Sequence, residues 1–243
     1  MFVSDSAYDR FMGRFSARLA PLFADFAGIV AGMRVLDVGA GTGALTAELV
    51  RRSADAAAAE PSSQFVAAIG ARLPGVDARV AGAEELPWPD ESFDAALAQL
   101  VITFMRDAPA GLREMRRVVR PGGTFAVCMW DREHMELLAA INNTRVALGD
   151  AGEPGAYRTQ EEIAALVGDE AELELLEVDA DYVDFDDFWS ALLGGAGPAG
   201  VWAASLGDEQ REVARAELFR QVGEPDGPFT LTGRAWAARV TRA

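Results

Sequence analysis

The nine residues Val35-Leu36-Asp37-Val38-Gly39-Ala40-Gly41-Thr42-Gly43 leave this chain little choice of fold. They open as a short apolar run with one acid, the pattern of a parallel strand buried on both faces. They close on three alternate glycines, and Ala44 to Val50 follow with helical spacing. A strand, a tight turn and a helix start make a nucleotide-type site. Glycines let the backbone come close to a ligand, and the first helical turn offers unpaired N–H groups at the positive end of the dipole. Two ligand classes use such a turn. A dinucleotide needs G-x-G-x-x-G or G-x-G-x-x-A, which Gly39, Gly41 and Ala44 satisfy. Asp37 favours the other class, because an acid at the strand's end repels a pyrophosphate and suits a ligand with a cationic amino-acid end.

The remaining chain supplies elements in an alternating order. Residues 5–27 have helical spacing in Tyr8, Phe11, Met12, Phe15, Leu19, Leu22, Phe23 and Phe26, and Pro21 is placed to divide that helix. Ala56-Ala57-Ala58-Ala59-Glu60-Pro61-Ser62 reads as a second strand ending in an acid, although an alanine run suits a helix by propensity. Glu60 stands about twenty residues past the loop, where an acid can accept from ribose hydroxyls. Ser62 is a helix cap. Residues 78–81 and 93–97 read as the third and fourth strands. Gln99 follows at a carboxyl end, where open α/β sheets bind ligands. Phe104 and Met105 are suited to line an apolar pocket or to pack the next helix. That helix starts at Asp107, and Pro121-Gly122-Gly123 is expected to stop it and turn into a fifth strand, 124–130. Helices are expected over 133–148, 159–167, 184–193 and 207–222, a turn over 194–198, and strands over 173–182 and 229–240.

Several of these stretches are similar to one family. Val35 to Gly43 resembles motif I of the class I S-adenosylmethionine-dependent methyltransferases. Tyr8-Asp9-Arg10-Phe11-Met12-Gly13-Arg14 resembles the start of many small-molecule members (type 11), and the Arg-Pro-Gly-Gly turn at 120–123 is typical of them. The resemblance implies a Rossmann-like α/β fold: a seven-stranded, mostly parallel sheet, helices on both faces, an antiparallel last strand, an N-terminal helix and a helical cap. It implies S-adenosyl-L-methionine as cofactor, with Asp37, Gly39, Ala40, Gly41 and Gly43 at the methionine part and Glu60 and Pro61 at the ribose. The stretch Gly82-Ala83-Glu84-Glu85-Leu86-Pro87 looks like the family's Asp-Ala-Glu-x-Leu-Pro, in which the Asp accepts from the adenine amine. Gly82 replaces that Asp here. Ala83 retains its backbone N–H for a ring nitrogen, and Glu84 is the substitute acceptor. Gln99 borders the cofactor or the substrate. Tyr8, Met12, Arg14, Phe104 and Trp130 are the expected acceptor contacts.

The chemistry such a family performs does not require a catalytic side chain, since the methyl group is already activated and the protein aligns it with an acceptor. His134, the single histidine, is either a general base for an acceptor proton or a surface residue at a helix start. Composition narrows the partners. A formal net charge of −16 argues against nucleic acid, whose backbone rewards a basic face. One histidine and one cysteine, with no Cys/His cluster, argue against zinc. Cys128, inside an apolar strand, is expected to be a buried structural thiol. No apolar run approaches a membrane span and residues 1–30 lack a signal pattern, so a cytoplasmic protein with a small-molecule acceptor is expected, as a monomer or homodimer. We expect one domain over 1–243: a helical lid at 1–30, a cofactor-binding core at 31–131, helices, sixth strand and cap at 132–226, and a final strand at 227–243. The competing readings are an NAD(P)-dependent oxidoreductase, which shares the glycine turn and Glu60, and a non-catalytic adenosylmethionine-binding protein.

Overall fold

The computed structural model describes residues 5–150, 157, 159–195 and 197–243. Its centre is a strand that the apolar run at 35–38 forces inward: β1 (Arg34–Val38) is buried from Val35 onward. It pairs in parallel with β2 (Asp55–Glu60) on one side and β4 (Phe93–Gln99) on the other. Outside them lie β3 (Asp77–Val80), parallel to β2, and β5 (Val119–Trp130), parallel to β4. β7 (Phe229–Thr241) runs antiparallel to β5, and β6 (Glu172–Tyr182) completes the seven-stranded order β3-β2-β1-β4-β5-β7-β6. This is the mostly parallel sheet with a reversed last strand that the family resemblance implies. The alanines of β2 are a strand because they are buried: all four are under 8% exposed, and their packing outweighs their helix propensity.

The helices are α1 (Asp5–Arg10), α2 (Gly13–Phe26), α3 (Ala44–Arg51), α4 (Ser63–Arg72), α5 (Ala108–Val118), α6 (Glu136–Ala147), α7 (Gln160–Val167), α8 (Phe185–Leu193), α9 (Gly197–Ser205) and α10 (Asp208–Gln221). Side-chain caps start several as their sequences suggest. Ser62 Oγ accepts from Phe65 N–H, Asp107 from Ala110 N–H, Thr159 from Glu162 N–H and Asp184 from Asp187 N–H. Among the described residues no helix is long and apolar enough to cross a membrane.

Three local expectations need correction. Pro21 does not divide the first helix; it lies inside α2, and the break falls at Phe11–Met12 instead. There Gly13 fits close to the Tyr8 carbonyl, which a Cβ would approach to 3.2 Å. Pro21's missing N–H costs one helical bond, and its own carbonyl is used by Arg52, whose Nη2 donates at 2.8 Å. The Pro-Gly-Gly turn does not stop α5. The helix ends at Val118, β5 begins at once, and residues 120–123 form a bulge where Phe93 pairs with Val119 and Ala95 with Thr124. Gly123 permits it, since a Cβ there would meet the Asp94 carbonyl at 2.5 Å. Finally, the turn expected at 194–198 is already helical from Gly197.

Two compact units divide the chain: one of residues 1–15, 132–155 and 177–234, the other of residues 16–131, 156–176 and 235–243. The second contains β1 to β5 and the main core, in which Leu36, Val38, Phe93, Ile102, Met115, Val118, Phe125 and Val127 pack together. In the first, α6 and α10 pack on each other, and Tyr182 stacks on Phe229 at 5.1 Å.

Candidate functional site

Strand order reverses between β1 and β4, and open α/β sheets bind ligands beyond the carboxyl ends of their strands at such a point. The glycine loop leaves β1 there. Gly39, Gly41 and Gly43 all have positive φ, of 72°, 53° and 87°. They differ in their surroundings. A Cβ on Gly39 would lie 2.7 Å from Val101 Cγ1, so this glycine exists for contact with the segment after β4. A Cβ on Gly43 would come 3.1 Å from Ile69 of α4. At Gly41 nothing lies within 4 Å, so that backbone faces open space. Gly39 N–H and Ala40 N–H both donate to the Ala59 carbonyl, at 2.7 and 3.2 Å, tying the loop to the end of β2. Gly43, in the left-handed region, is the N-cap of α3 and makes no side-chain cap bond.

Two carboxylates border the loop in different states. Asp37 is 1% exposed, and its Oδ2 accepts from Thr46 Oγ1 at 2.6 Å. Burial pushes its pKa up to about 7 against the lowering effect of the Thr46 bond, with the Glu60 charge adding to the rise. Glu60 is also buried, but it accepts from backbone: Gly41 N–H on Oε2 and Ser62 N–H on Oε1, each at 2.9 Å. Each of its oxygens keeps a further lone pair. Pro61 beside it is exposed and Ala40 buried.

After β4 the chain is bent hard. Leu100 has φ of 64°, unusual for a leucine and the kind of strain that clusters at ligand sites. Gln99 Nε2 donates to the Ser16 carbonyl at 3.0 Å. Along the 82–84 stretch, Ala83 is half-buried against Gly111 of α5, where a Cβ would meet Met105 Sδ at 2.7 Å and Ala83 Cβ at 3.2 Å. Glu84 Oε1 accepts from Arg106 N–H at 2.7 Å and Asp107 N–H at 3.2 Å. Glu84 Oε2 reaches back to within 3.0 Å of where a Gly82 Cβ would stand. Burial opposes its charge, yet these backbone donors and Arg106 hold its pKa below the usual range.

The expected acceptor contacts fall in both units. In the second, Phe104 is 58% exposed and Trp130 is buried at the end of β5. In the first, Tyr8 and Met12 are half-buried at the α1–α2 break. Arg14 pairs with Asp187 through two bonds, at 2.8 and 2.5 Å, and donates to the Asp181 carbonyl at 2.9 Å. His134 lies exposed on the turn before α6. Cys128 is fully buried, and burial drives its thiol pKa upward, as a structural thiol's should be.

A family model described as a methyltransferase domain matches residues 36–127. An uncharacterized protein of Mycobacterium tuberculosis is 30% identical over 232 residues, covering 89% of this chain and 82% of that protein. The chain belongs to the class I S-adenosylmethionine-dependent methyltransferases. An uncharacterized methyltransferase of Mycobacterium tuberculosis is 37% identical over 124 residues, 51% of this chain and 50% of its own. A demethylmenaquinone methyltransferase of Mycolicibacterium paratuberculosis is 38% identical over 139 residues, 54% of this chain and 59% of its own. The chain thus spans about half the length of the first curated relatives it matches. A type II methyltransferase candidate from Anaeromyxobacter dehalogenans shares the fold, with a TM-score of 0.67, 22% identity, and coverage of 93% of this chain and 95% of that one. So does the [4+2]-cyclase SpnF, with a TM-score of 0.54 and 21% identity over 93% of this chain and 82% of that one.

The methyltransferase match ends before β5 does, and it contains Asp37, the loop, Glu60, Ala83, Glu84 and Gln99. Sequence reasoning missed Thr46, Val101, Gly111, Leu100 and Ser16. Thr46 was detectable as the hydroxyl one helical turn into α3, opposite a strand acid. Nothing in the sequence marks Leu100 for a left-handed backbone.

Proposed function

We propose that this methyltransferase moves a methyl group from S-adenosyl-L-methionine to a small-molecule acceptor and releases S-adenosylhomocysteine. The observation that carries the reading is the open face at Gly41 between a strained β4 end and the buried Glu60. That set fits the cofactor: a small backbone surface for the methionine side, and a carboxylate with spare lone pairs for vicinal hydroxyls. Gly39, Ala40, Gly41 and Gly43 would hold the methionine part, with Asp37 fixing the first turn of α3 through Thr46. Glu60, beside Pro61, would hold the ribose. Ala83 would offer its N–H to the adenine ring, and Glu84 would stand in for the missing Asp at position 82, because its Oε2 already reaches that space. Gln99 would border the methionine end. Bound there, the cofactor supplies a methyl group on a sulfonium, and the chain's work is to orient the acceptor and keep water out.

The acceptor reading is coarser. Within the unit of the glycine loop, Phe104 and Trp130 suit a ring-bearing apolar molecule, and one relative is named for demethylmenaquinone. Arg14 already has carboxylate and carbonyl partners, which supports a positioning role over direct contact with the acceptor. The exposure of His134 favours its reading as a surface residue, and the reaction proposed does not depend on it.

One titration tests the site. S-adenosylhomocysteine should bind at least about tenfold tighter than S-inosylhomocysteine, whose ring carries an oxygen in place of the amine. NADH should not bind measurably. Equal binding of NADH would replace the reading with the oxidoreductase one, and equal binding of the inosyl analogue would remove Glu84 from the adenine site. Release of adenosylhomocysteine in an acceptor screen then separates an enzyme from a binding protein.

A further inference from the structure

A cavity of about 400 Å³ lies in the glycine-loop unit, on a part of the sheet that methyl transfer does not use. That is the volume of a small-molecule site. Its floor is apolar. Phe26, at the end of α2, and Leu176 of β6 are buried, and Leu22 and Leu173 extend that surface towards solvent. The pairing of β5 with β7 separates the cavity from the glycine loop. Arg239, in its wall, pairs with Ala126, whereas Ala235 pairs with Trp130 at the carboxyl end of β5. Four residues of strand, about 13 Å, lie between those two positions.

The cavity already holds one organic cation, from its own chain. The Arg239 guanidinium lies 5.2 Å from the centre of the Phe26 ring. Its Nη1 donates to the Phe26 carbonyl at 2.5 Å, and its Nε and Nη2 donate to Glu172 Oε2 at 3.2 and 2.6 Å. A ring face, a carbonyl and a carboxylate are all groups that attract a cation. Arg239 is committed to them, so it does not neutralise the rest of the rim. Asp25, also on the rim, is drawn to Arg52 at 2.6 Å. Glu172 keeps Oε1, and among the described residues the Glu174 carboxylate has no ion pair or hydrogen bond. What stays open is therefore a pair of carboxylate acceptors above an aliphatic floor. An anionic guest would meet like charge there, and a neutral one would leave the charge unanswered. We infer that this cavity is a second ligand site, for a primary ammonium carried on an apolar body. The body lies on Leu22, Leu173 and Leu176, as a lysine stem lies on apolar surface, and the ammonium donates to Glu174. The chain's net charge of −16 draws such cations towards it.

The test titrates 2-phenylethylamine and 2-phenylethanol, which share ring and chain but differ in head group, into wild type and Glu174→Gln. Calorimetry on wild type should show the amine binding at least about tenfold tighter than the alcohol. Glu174→Gln, at an exposed position, should lose about fivefold or more for the amine, stay within about twofold for the alcohol, and keep the wild-type urea midpoint. Adenosylhomocysteine should bind both proteins equally. Amine and alcohol binding alike, or no amine binding at about 10 mM, overturns the inference. Amine binding that Glu174→Gln leaves unchanged overturns it too, because the attraction then belongs to the net charge and not to this cavity. A loss of adenosylhomocysteine binding in Glu174→Gln overturns the separation of the two sites. Wild type that binds the amine but not adenosylhomocysteine supports this site and overturns the methyl-transfer reading instead.

Discussion

In the unit that carries the glycine loop, position is set mainly by backbone. Gly39 sits against Val101 with no room for a methyl, Gly43 caps α3 in a left-handed conformation, and Leu100 holds a conformation that leucines avoid. In the other unit, position is set by side chains. Arg14 lies 4.8 Å over the Tyr182 ring while gripping Asp187, and Tyr182 meets Phe188 edge-on at 5.2 Å and stacks on Phe229. Where a backbone requirement excludes a Cβ, as at Gly39 and Gly43, it leaves glycine as a signature in the sequence. Ion pairs and aromatic contacts can be met by many residue combinations. The family model covers residues 36–127, all in the unit of the glycine loop, and the expected acceptor contacts Tyr8, Met12 and Arg14 lie in the other.

The sharpest way to break that contrast is to add one methyl at two glycines of the same loop. Gly39→Ala should destabilise the protein by about 2–5 kcal/mol, from a left-handed backbone plus the clash with Val101. Gly41→Ala has only the backbone cost, about 1–2 kcal/mol, but its new methyl fills the open face and should abolish adenosylhomocysteine binding. Urea unfolding and calorimetry on the pair decide it. Equal losses of stability would mean that contact with Val101 does not set the loop.

The same contrast explains what could be read in advance. The succession of strands and helices along the chain, the loop, Glu60 at the end of β2 and Ser62 as a cap follow from local pattern, since apolar runs, glycines and capping hydroxyls act within a few residues. The break at Phe11–Met12 was misplaced because Pro21 is the stronger local signal, yet Arg52, 31 residues away, makes use of its carbonyl. The Pro-Gly-Gly segment was read as a helix stop although Val119 already pairs with Phe93, a contact invisible along the chain. Ser16 has no local signal, since what marks it is the Gln99 side chain on its carbonyl from 83 residues away. The resemblance points to Glu84 as the substitute acceptor, but its reach into the space beside Gly82 is a property of the fold.

A smaller effect concerns the buried acid of the loop unit. Asp37 has a folded pKa of about 7, above the value near 3.9 expected when unfolded. The folded state then holds the extra proton between those values, so this group's contribution to stability falls as pH rises from about 4 to 7 and is constant above. Asp37→Asn removes the titration while an amide oxygen can still accept from Thr46. Measured by urea unfolding across that window, the variant should gain on wild type with rising pH, by on the order of a few kcal/mol at most. Parallel curves would show that Asp37 is solvated and would return it to the list of direct ligand contacts.

The smallest effect lies in the other unit. Asp187 has its pKa lowered, first by the Arg14 hydrogen bond, with the Val183 N–H and the Arg14 charge adding to it against burial. A depressed carboxyl contributes stability that is present above the unfolded value near 4 and is lost as pH falls through the lower folded value. Both side chains are about one-quarter exposed, so solvent screens the pair, and its coupling should be about 1 kcal/mol. A double-mutant cycle of Arg14→Met and Asp187→Asn at pH 7 reads that coupling directly, and repeating it at successively lower pH should bring it towards zero as the Asp187 carboxyl takes up its proton. Tyr182 gives an internal control: its ring loses the guanidinium above it in Arg14→Met but keeps it in Asp187→Asn, so a tyrosine fluorescence change confined to the first variant separates ring contact from ion pairing. Zero coupling at pH 7 would mean that this unit, too, is positioned by its backbone, and the contrast between the units would fail at the point where it was expected to be clearest.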